Sequence, residues 1–222
     1  MSALRLYTYF RSSAAFRVRI ALNLKGLDYQ SEFIHLLKEG GEHKARDYRA
    51  INPQALIPSL RIGDADEEQV LTQSLAIIEY LEEKYPQPSL LPREMEQRAF
   101  VRSLALMISC DIHPLNNLRV LAYLKDELAV DEAARQCWYC HWLAQGFDAL
   151  EQRIVDQFSD TGFCVGEHAG LADLCLIPQF YNALRYGCDV SAYPVLQYIY
   201  DNCMAMDAFY LAAPEQQPDH EL

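Results

Sequence analysis

The chain begins with short apolar runs that alternate with amphipathic stretches, and it ends as amphipathic stretches alone. Residues 4–8 form an apolar run of strand length, followed by residues 14–25, where Val18, Ala21, Leu22 and Leu24 recur near helical spacing up to Gly26. Residues 29–36 predict a second strand. Residues 57–62 and 69–71 bracket Gly63-Asp64-Ala65-Asp66, a turn sequence that predicts a hairpin. Residues 74–85 then carry Leu75, Ile77, Ile78 and Leu81 on one helical side. This order predicts a compact α/β unit whose first two strands are parallel through a right-handed crossover.

Beyond Tyr85 the pattern changes. Pro86-Gln87-Pro88 and Leu91-Pro92 punctuate a connection of linker character. Helical period follows over residues 94–124, 131–157, 171–185 and 195–209, without strand alternation. The expected organisation is an α/β domain over residues 1–84, a linker over 85–92 and an all-helical domain over 93–222. No internal repeat is visible, and the tail from Pro214 reads as loose.

Composition narrows the class. Of 222 residues 51% are hydrophobic and 23% charged, the balance of a globular protein. No window reaches the roughly 18 apolar residues needed to span a bilayer, and the start lacks the apolar stretch of a signal peptide. A cytoplasmic protein without membrane partners is therefore expected. The formal charge of −12 argues against nucleic acid as a partner, although a few arginines can still build a positive pocket for a small anion. The seven cysteines are odd in number and irregular in spacing, so reduced thiols are expected. Cys137 and Cys140 have the spacing of a redox or zinc pair but lack a second pair and lie in a stretch of helical period. They read as structural, and no metal site is expected.

Candidate chemistry starts at Ile57-Pro58. Proline cannot donate to a sheet ladder, so a trans Pro58 opening an edge strand is the common case. A cis bond would turn the Ile57 main chain outward to pair with an extended peptide. Gln73-Ser74 opens the next helix, where free N–H groups suit a carboxylate; a simple capping serine is the other reading.

Together with Arg11-Ser12-Ser13-Ala14-Ala15-Phe16-Arg17-Val18-Arg19-Ile20-Ala21-Leu22, these segments resemble the zeta-class glutathione transferases, the maleylacetoacetate isomerase family. The likeness extends through Asn52-Pro53, Gln73-Ser74-Leu75-Ala76-Ile77-Ile78-Glu79-Tyr80-Leu81, residues 111–118 and Ala172-Asp173-Leu174-Cys175. It covers nearly the whole chain. It implies the glutathione transferase fold, an α/β thioredoxin-like N-terminal domain plus an all-α C-terminal domain, assembled as a homodimer with glutathione as cofactor. Two departures stand out: Ala14 replaces a family cysteine, and Gly170 replaces the Ser or Thr of a helix capping box that Asp173 would still close.

The resemblance assigns roles. Ser12, or failing it Ser13, donates to the glutathione sulfur, whose thiol would otherwise have a pKa of about 8.5. Ile57, before Pro58, pairs with the cysteinyl segment, Gln73 and Ser74 take the γ-glutamyl carboxylate, and His43 lies near the glycyl end. Arg11 and Arg185 hold the carboxylates of a small dicarboxylate keto acid, and His113 and Asn117 line the wall opposite. Read alone, His43 and Arg185 would be solvated, Arg17 and Arg19 structural or surface ion pairs, and His113-Pro114 the mark of a helix kink. The implied reaction is the cis-trans isomerisation of maleylacetoacetate. Maleylpyruvate isomerisation, a general glutathione transferase, and a non-catalytic glutathione-fold binding protein are the alternatives.

Overall fold

The computed structural model describes residues 4–63, 68–157 and 160–220, and its contacts divide the chain into two compact units, Met1–Ser89 with Met206–Leu222, and Leu90–Ala205. In the first unit a four-stranded sheet has the order β2-β1-β3-β4. Strand β1 (Leu4–Thr8) pairs in parallel with β2 (Tyr29–Phe33), across helix α1 (Ser13–Leu24). Strand β3 (Ser59–Ile62) pairs antiparallel with both β1 and β4 (Gln69–Thr72), and helix α3 (Ser74–Lys84) follows. The hairpin is thus present, while its turn residues Asp64, Ala65 and Asp66 lie outside the described residues. A short helix, α2 (Arg46–Ile51), is pinned to β3 by Tyr48, whose hydroxyl lies 3.0 Å from Ser59 Oγ.

The core of this unit follows the apolar pattern: Leu6, Phe16, Ile20, Leu22, Leu60, Ile77 and Leu81 are all buried. At roughly 1.5–3 kcal/mol for each fully buried large side chain, they are what holds the helices to the sheet.

Two expectations are corrected here. Residues 206–220 pack with the sheet unit and not with the helical one. Helix α1 supplies the reason: Arg19 Nε donates to Ala212 O at 2.9 Å, and Asn23 Nδ2 to Ala208 O at 3.0 Å. Nor is the tail from Pro214 loose through residue 220, because Pro214 and Gln217 are buried and Gln217 Nε2 donates to Leu211 O and Ala213 O at 2.8 and 3.0 Å.

The second unit is helical: α4 (Met95–Leu106), a π-helical segment (Met107–Ile112), α5 (Leu118–Asp126), α6 (Glu132–Val155), α7 (Leu171–Arg185) and α8 (Pro194–Met204). One more short helix, α9 (Asp207–Tyr210), falls in the tail that joins the first unit. The continuous helix expected over 94–124 is divided at His113-Pro114. Proline has no N–H for the ladder, and Asn117 caps a new helix by accepting from Arg119 N–H at 3.0 Å. Gly146 on α6 lets the π segment approach closely, since a Cβ there would run into Ile112.

Asp173 closes the start of α7 as expected, accepting from Gly170 N–H and Cys164 N–H at 2.8 Å each. The geometry also explains Gly170: a Cβ there would sit 2.8 Å from the backbone oxygen of Leu90. The expectation of seven reduced thiols is corrected, because Cys140 on α6 is disulfide-bonded to Cys188 just beyond α7. Cys137 is exposed and free, so the Cys137/Cys140 spacing is not a pair. The two side chains that do meet come from different elements, which spacing along the chain could not reveal.

Candidate active site

The corner between β1 and α1 presents the serines. Ser12 is the N-cap of α1, and its Oγ accepts from Ala15 N–H at 3.2 Å. A hydroxyl used this way as acceptor keeps its own hydrogen to donate outward. Ser12 is half-buried, whereas Ser13, the first residue of α1, is buried. Arg11 is exposed, with its guanidinium 4.8 Å from the centre of the Phe10 ring. Ala14 is half-buried in the first turn of the same helix.

Ile57 lies beside this corner, in one apolar cluster with Tyr9 and Phe10. The Ile57–Pro58 bond is cis, the rarer of the two possibilities weighed from sequence. Pairing of β3 with β1 begins at Ser59, so Ile57 stands outside the ladder.

The start of α3 is the third part. Gln73 is its N-cap in a left-handed conformation, φ 70° and ψ 116°. A non-glycine residue held there costs about 1–3 kcal/mol, and such positions cluster at functional sites. Its side chain makes no cap; Nε2 donates instead to Gln54 Oε1 at 2.8 Å. Ser74 is the first helical residue rather than the cap, and its buried Oγ accepts from Arg17 Nη1 at 3.4 Å. Arg17 is 1% exposed and Arg19 0%. Of the two readings the sequence admitted, structural residue or surface ion pair, burial leaves the structural one for both, and Arg17 enters the site although the sequence reading discounted it as a ligand. The available signal was two arginines set into a helix whose other positions are nearly all apolar.

His43 lies in a single 3-10 turn over Glu42–Lys44, half-buried rather than solvated. Burial, and after it Lys44 and Arg49, hold its imidazole below the ordinary value of 6.5. Its Nδ1 is buried without a hydrogen-bond partner among the described residues.

The second unit carries the remaining candidates. His113 Nε2 and Asn117 Nδ2 are 3.5 Å apart, at the end of the π segment and the cap of α5. Arg185 is exposed on the last turn of α7, its guanidinium 4.5 Å from the centre of the Tyr186 ring. Tyr186 stacks on Tyr139 with ring centres 3.8 Å apart, and Tyr139 O accepts from the buried Asn116 Nδ2 at 3.0 Å. A chain of contacts therefore joins the Arg185 end of α7 to the residue preceding Asn117. Burial, with Tyr186 close by, pushes the Tyr139 phenol well up, so it stays neutral. Among the described residues no group of three or more His, Cys, Asp or Glu could hold a metal, and no helix is long and apolar enough to cross a membrane.

The four-stranded mixed sheet with helices and the helical second unit have the architecture of a glutathione transferase. Residues 11–84 match the family described as Glutathione S-transferase, N-terminal domain. A relative in Vibrio cholerae, named a probable maleylacetoacetate isomerase, is 49% identical over 219 residues, 99% of each chain. The chain belongs to the glutathione transferase family. Within that family the likeness is to the zeta class. The holo structure of a maleyl pyruvate isomerase, described as a bacterial zeta-class enzyme, superposes with a TM-score of 0.92 at 43% identity, covering 98% of this chain and 100% of that one. A maleylacetoacetate isomerase of Anaeromyxobacter dehalogenans, solved with glutathione in its active site, gives 0.88 at 37% identity over 99% of both chains.

Proposed function

We propose that this chain is a glutathione-dependent cis-trans isomerase converting maleylacetoacetate to fumarylacetoacetate, in tyrosine and phenylalanine breakdown. The observation that carries this reading is the 49% identity, over 99% of each chain, with the Vibrio cholerae relative named a probable maleylacetoacetate isomerase. The residues present fit glutathione: a half-buried hydroxyl at Ser12 that keeps its hydrogen to donate, a main chain outside the ladder at Ile57, and a helix start at Gln73 and Ser74 with the buried Arg17 guanidinium on Ser74. His43 adds a buried ring nitrogen with no hydrogen-bond partner among the described residues.

When bound, glutathione would supply a thiolate nucleophile for reversible addition to the cis double bond and would not be consumed. Ser12 donates to the sulfur and favours the thiolate, and the first turn of α1 adds its dipole; Ser13, being buried, is the second choice. Gln73 and Ser74 receive the γ-glutamyl carboxylate, and His43 faces the glycyl end. Arg11 and Arg185 bind the keto acid's carboxylates, a task suited to the guanidinium fork, while His113 and Asn117 line the wall. Preorganised donors near the oxygens where charge develops lower the barrier without reorganising. The protein works as a homodimer in the cytoplasm.

The second reading is maleylpyruvate as substrate. It is favoured by Ala14 in place of the family cysteine and by the likeness to the maleyl pyruvate isomerase structure. Purified protein with glutathione should isomerise maleylacetoacetate with a higher kcat/KM than maleylpyruvate. The reverse order selects the second reading, and turnover of neither acid removes both.

A further inference from the structure

The loop that delivers Ser12 is gripped from two sides by residues that no part of the proposed chemistry uses. From α1, the fully buried Arg19 reaches under the loop: Nη1 donates to Tyr9 O at 3.3 Å and to Thr8 Oγ1 at 3.0 Å, and Nη2 donates to Phe10 O at 3.1 Å. Tyr9 O also accepts from Ser12 N–H at 2.9 Å, so one carbonyl connects Arg19 to the serine. From the C-terminal tail, Asp219 Oδ2 accepts from Phe10 N–H at 3.0 Å, 209 residues away in sequence. The Phe10 ring meets the His220 ring edge-on at 5.3 Å.

The tail does not depend on Asp219 for its own placement. Arg19 Nε holds Ala212, Asn23 holds Ala208, and Gln217 is anchored by its two bonds to Leu211 and Ala213. Asp219 therefore gives an already anchored segment its hydrogen bond to the Ser12 loop, beside the ring contact of His220. Burial pushes the Arg19 guanidinium down to about 10, while Tyr29 and then Asp219 act to raise it. The guanidinium still carries its proton at neutral pH and donates throughout.

We propose that Asp219 is a positioning residue for the reaction: by accepting from Phe10 N–H opposite the Arg19 clamp, it sets the height of the Tyr9-to-Ser12 loop and so the aim of the Ser12 hydroxyl. A hydrogen bond weakens steeply as its geometry departs from line, and site groups must be held within about 0.5 Å to act. A loop relaxed at Phe10 loses donation to the sulfur without losing its fold. The inference rests on the reading of Ser12 as donor to the glutathione thiolate.

The test compares Asp219→Ala with Asp219→Asn, following the titration of bound glutathione by its ultraviolet thiolate absorbance together with steady-state kinetics. Asp219→Ala should raise the pH at which the bound thiolate forms and lower kcat by about 3- to 10-fold, with KM for the keto acid little changed. Asp219→Asn keeps an acceptor for Phe10 N–H and should stay within about twofold of the parent. A chain ending at Pro218, still anchored through Gln217, should reproduce the alanine result. Asp219→Ala that folds with the parent's thiolate titration and kcat overturns the inference, as does equal impairment of Asp219→Asn. Ser12→Ala run alongside separates the two levels. If it shifts the thiolate titration while Asp219→Ala does not, the positioning role falls and the site reading stands; if neither shifts it, both fall.

Discussion

Arg17, buried in α1, donates through Nη1 to Ser74 Oγ at the first residue of α3, 3.4 Å away and 57 residues on. A guanidinium thus lies behind a helix N-terminus that already favours anions. In the proposed site this is where the γ-glutamyl carboxylate binds. Arg17→Met should weaken glutathione by about tenfold, equivalent to ~1.4 kcal/mol. It should weaken an analogue lacking that carboxylate far less. Isothermal titration of the two ligands checks this, and equal losses for both would remove Arg17 from the carboxylate's surroundings.

Ser12 has two duties that different substitutions separate. It caps α1 through Ala15 N–H, and in the proposed mechanism it donates to the sulfur. Ser12→Ala loses both, which should cost about 1 kcal/mol of stability and about 10²-fold in kcat. Ser12→Asp restores a good cap but offers no donor and sets a negative charge near the thiolate. It should recover the denaturation midpoint while leaving kcat as low or lower. Urea unfolding and initial rates on the same samples decide it; recovery of kcat by aspartate would reduce Ser12 to a helix cap.

Much of this was legible in the chain. The apolar periods at 4–8, 14–25 and 74–85 mark elements that exist: β1 and α1 are buried nearly all round, and α3 buries one face through Ile77, Ile78 and Leu81. Gln73 and Ser74 could be singled out because a helix start is marked locally, and Ser12 because its segment carries the family resemblance. What was hidden depends on pairs distant in sequence. Nothing near Asp219 announces Phe10, nothing near Cys140 announces Cys188, and the tail's place with the sheet unit depends on Arg19 and Asn23 reaching it. For Arg17 and Arg19 the sequence left a structural role and a surface ion pair both open, and only the packing around α1 reveals that both are inside.

Gly170 looks like a degraded cap that a threonine would repair, and the structure says otherwise. A Cβ at this position would meet Leu90 O at 2.8 Å, a backbone atom whose neighbour Leu171 N–H donates to that same oxygen at 2.9 Å. Overpacking of this kind typically costs about 1–3 kcal/mol, more than a better cap returns. Gly170→Thr should therefore lower the midpoint of chemical denaturation. A raised midpoint would mean the α7 start moves freely away from Leu90.

The disulfide between Cys140 and Cys188 closes a separation of 48 residues, worth at most about 4 kcal/mol by loop entropy. It ties α6 to the chain just after Arg185 and Tyr186. Cys188→Ser should lower thermal stability, and in the proposed site should raise KM for the keto acid without changing glutathione affinity, because the glutathione residues lie in the other unit. Differential scanning calorimetry and kinetics of the variant test both. Unchanged stability would indicate that the thiols are not joined in solution.

His43 gives a pH dependence whose sign is fixed by its surroundings. Burial, Lys44 and Arg49 hold its folded pKa below the unfolded value near 6.5. Between the two values the unfolded chain binds more protons, so stability rises with pH there. The contribution is complete above about pH 6.5 and is lost as the pH falls through the folded value. His43→Asn should flatten this part of the stability profile. Glutathione should act in the opposite sense: a glycyl carboxylate beside the ring favours imidazolium and raises its pKa. The ratio of parent to His43→Asn affinity should then grow as the pH is lowered from 7 toward 5.5, roughly the range in which an imidazole titrates. A ratio that does not change with pH would place the glycyl end away from His43.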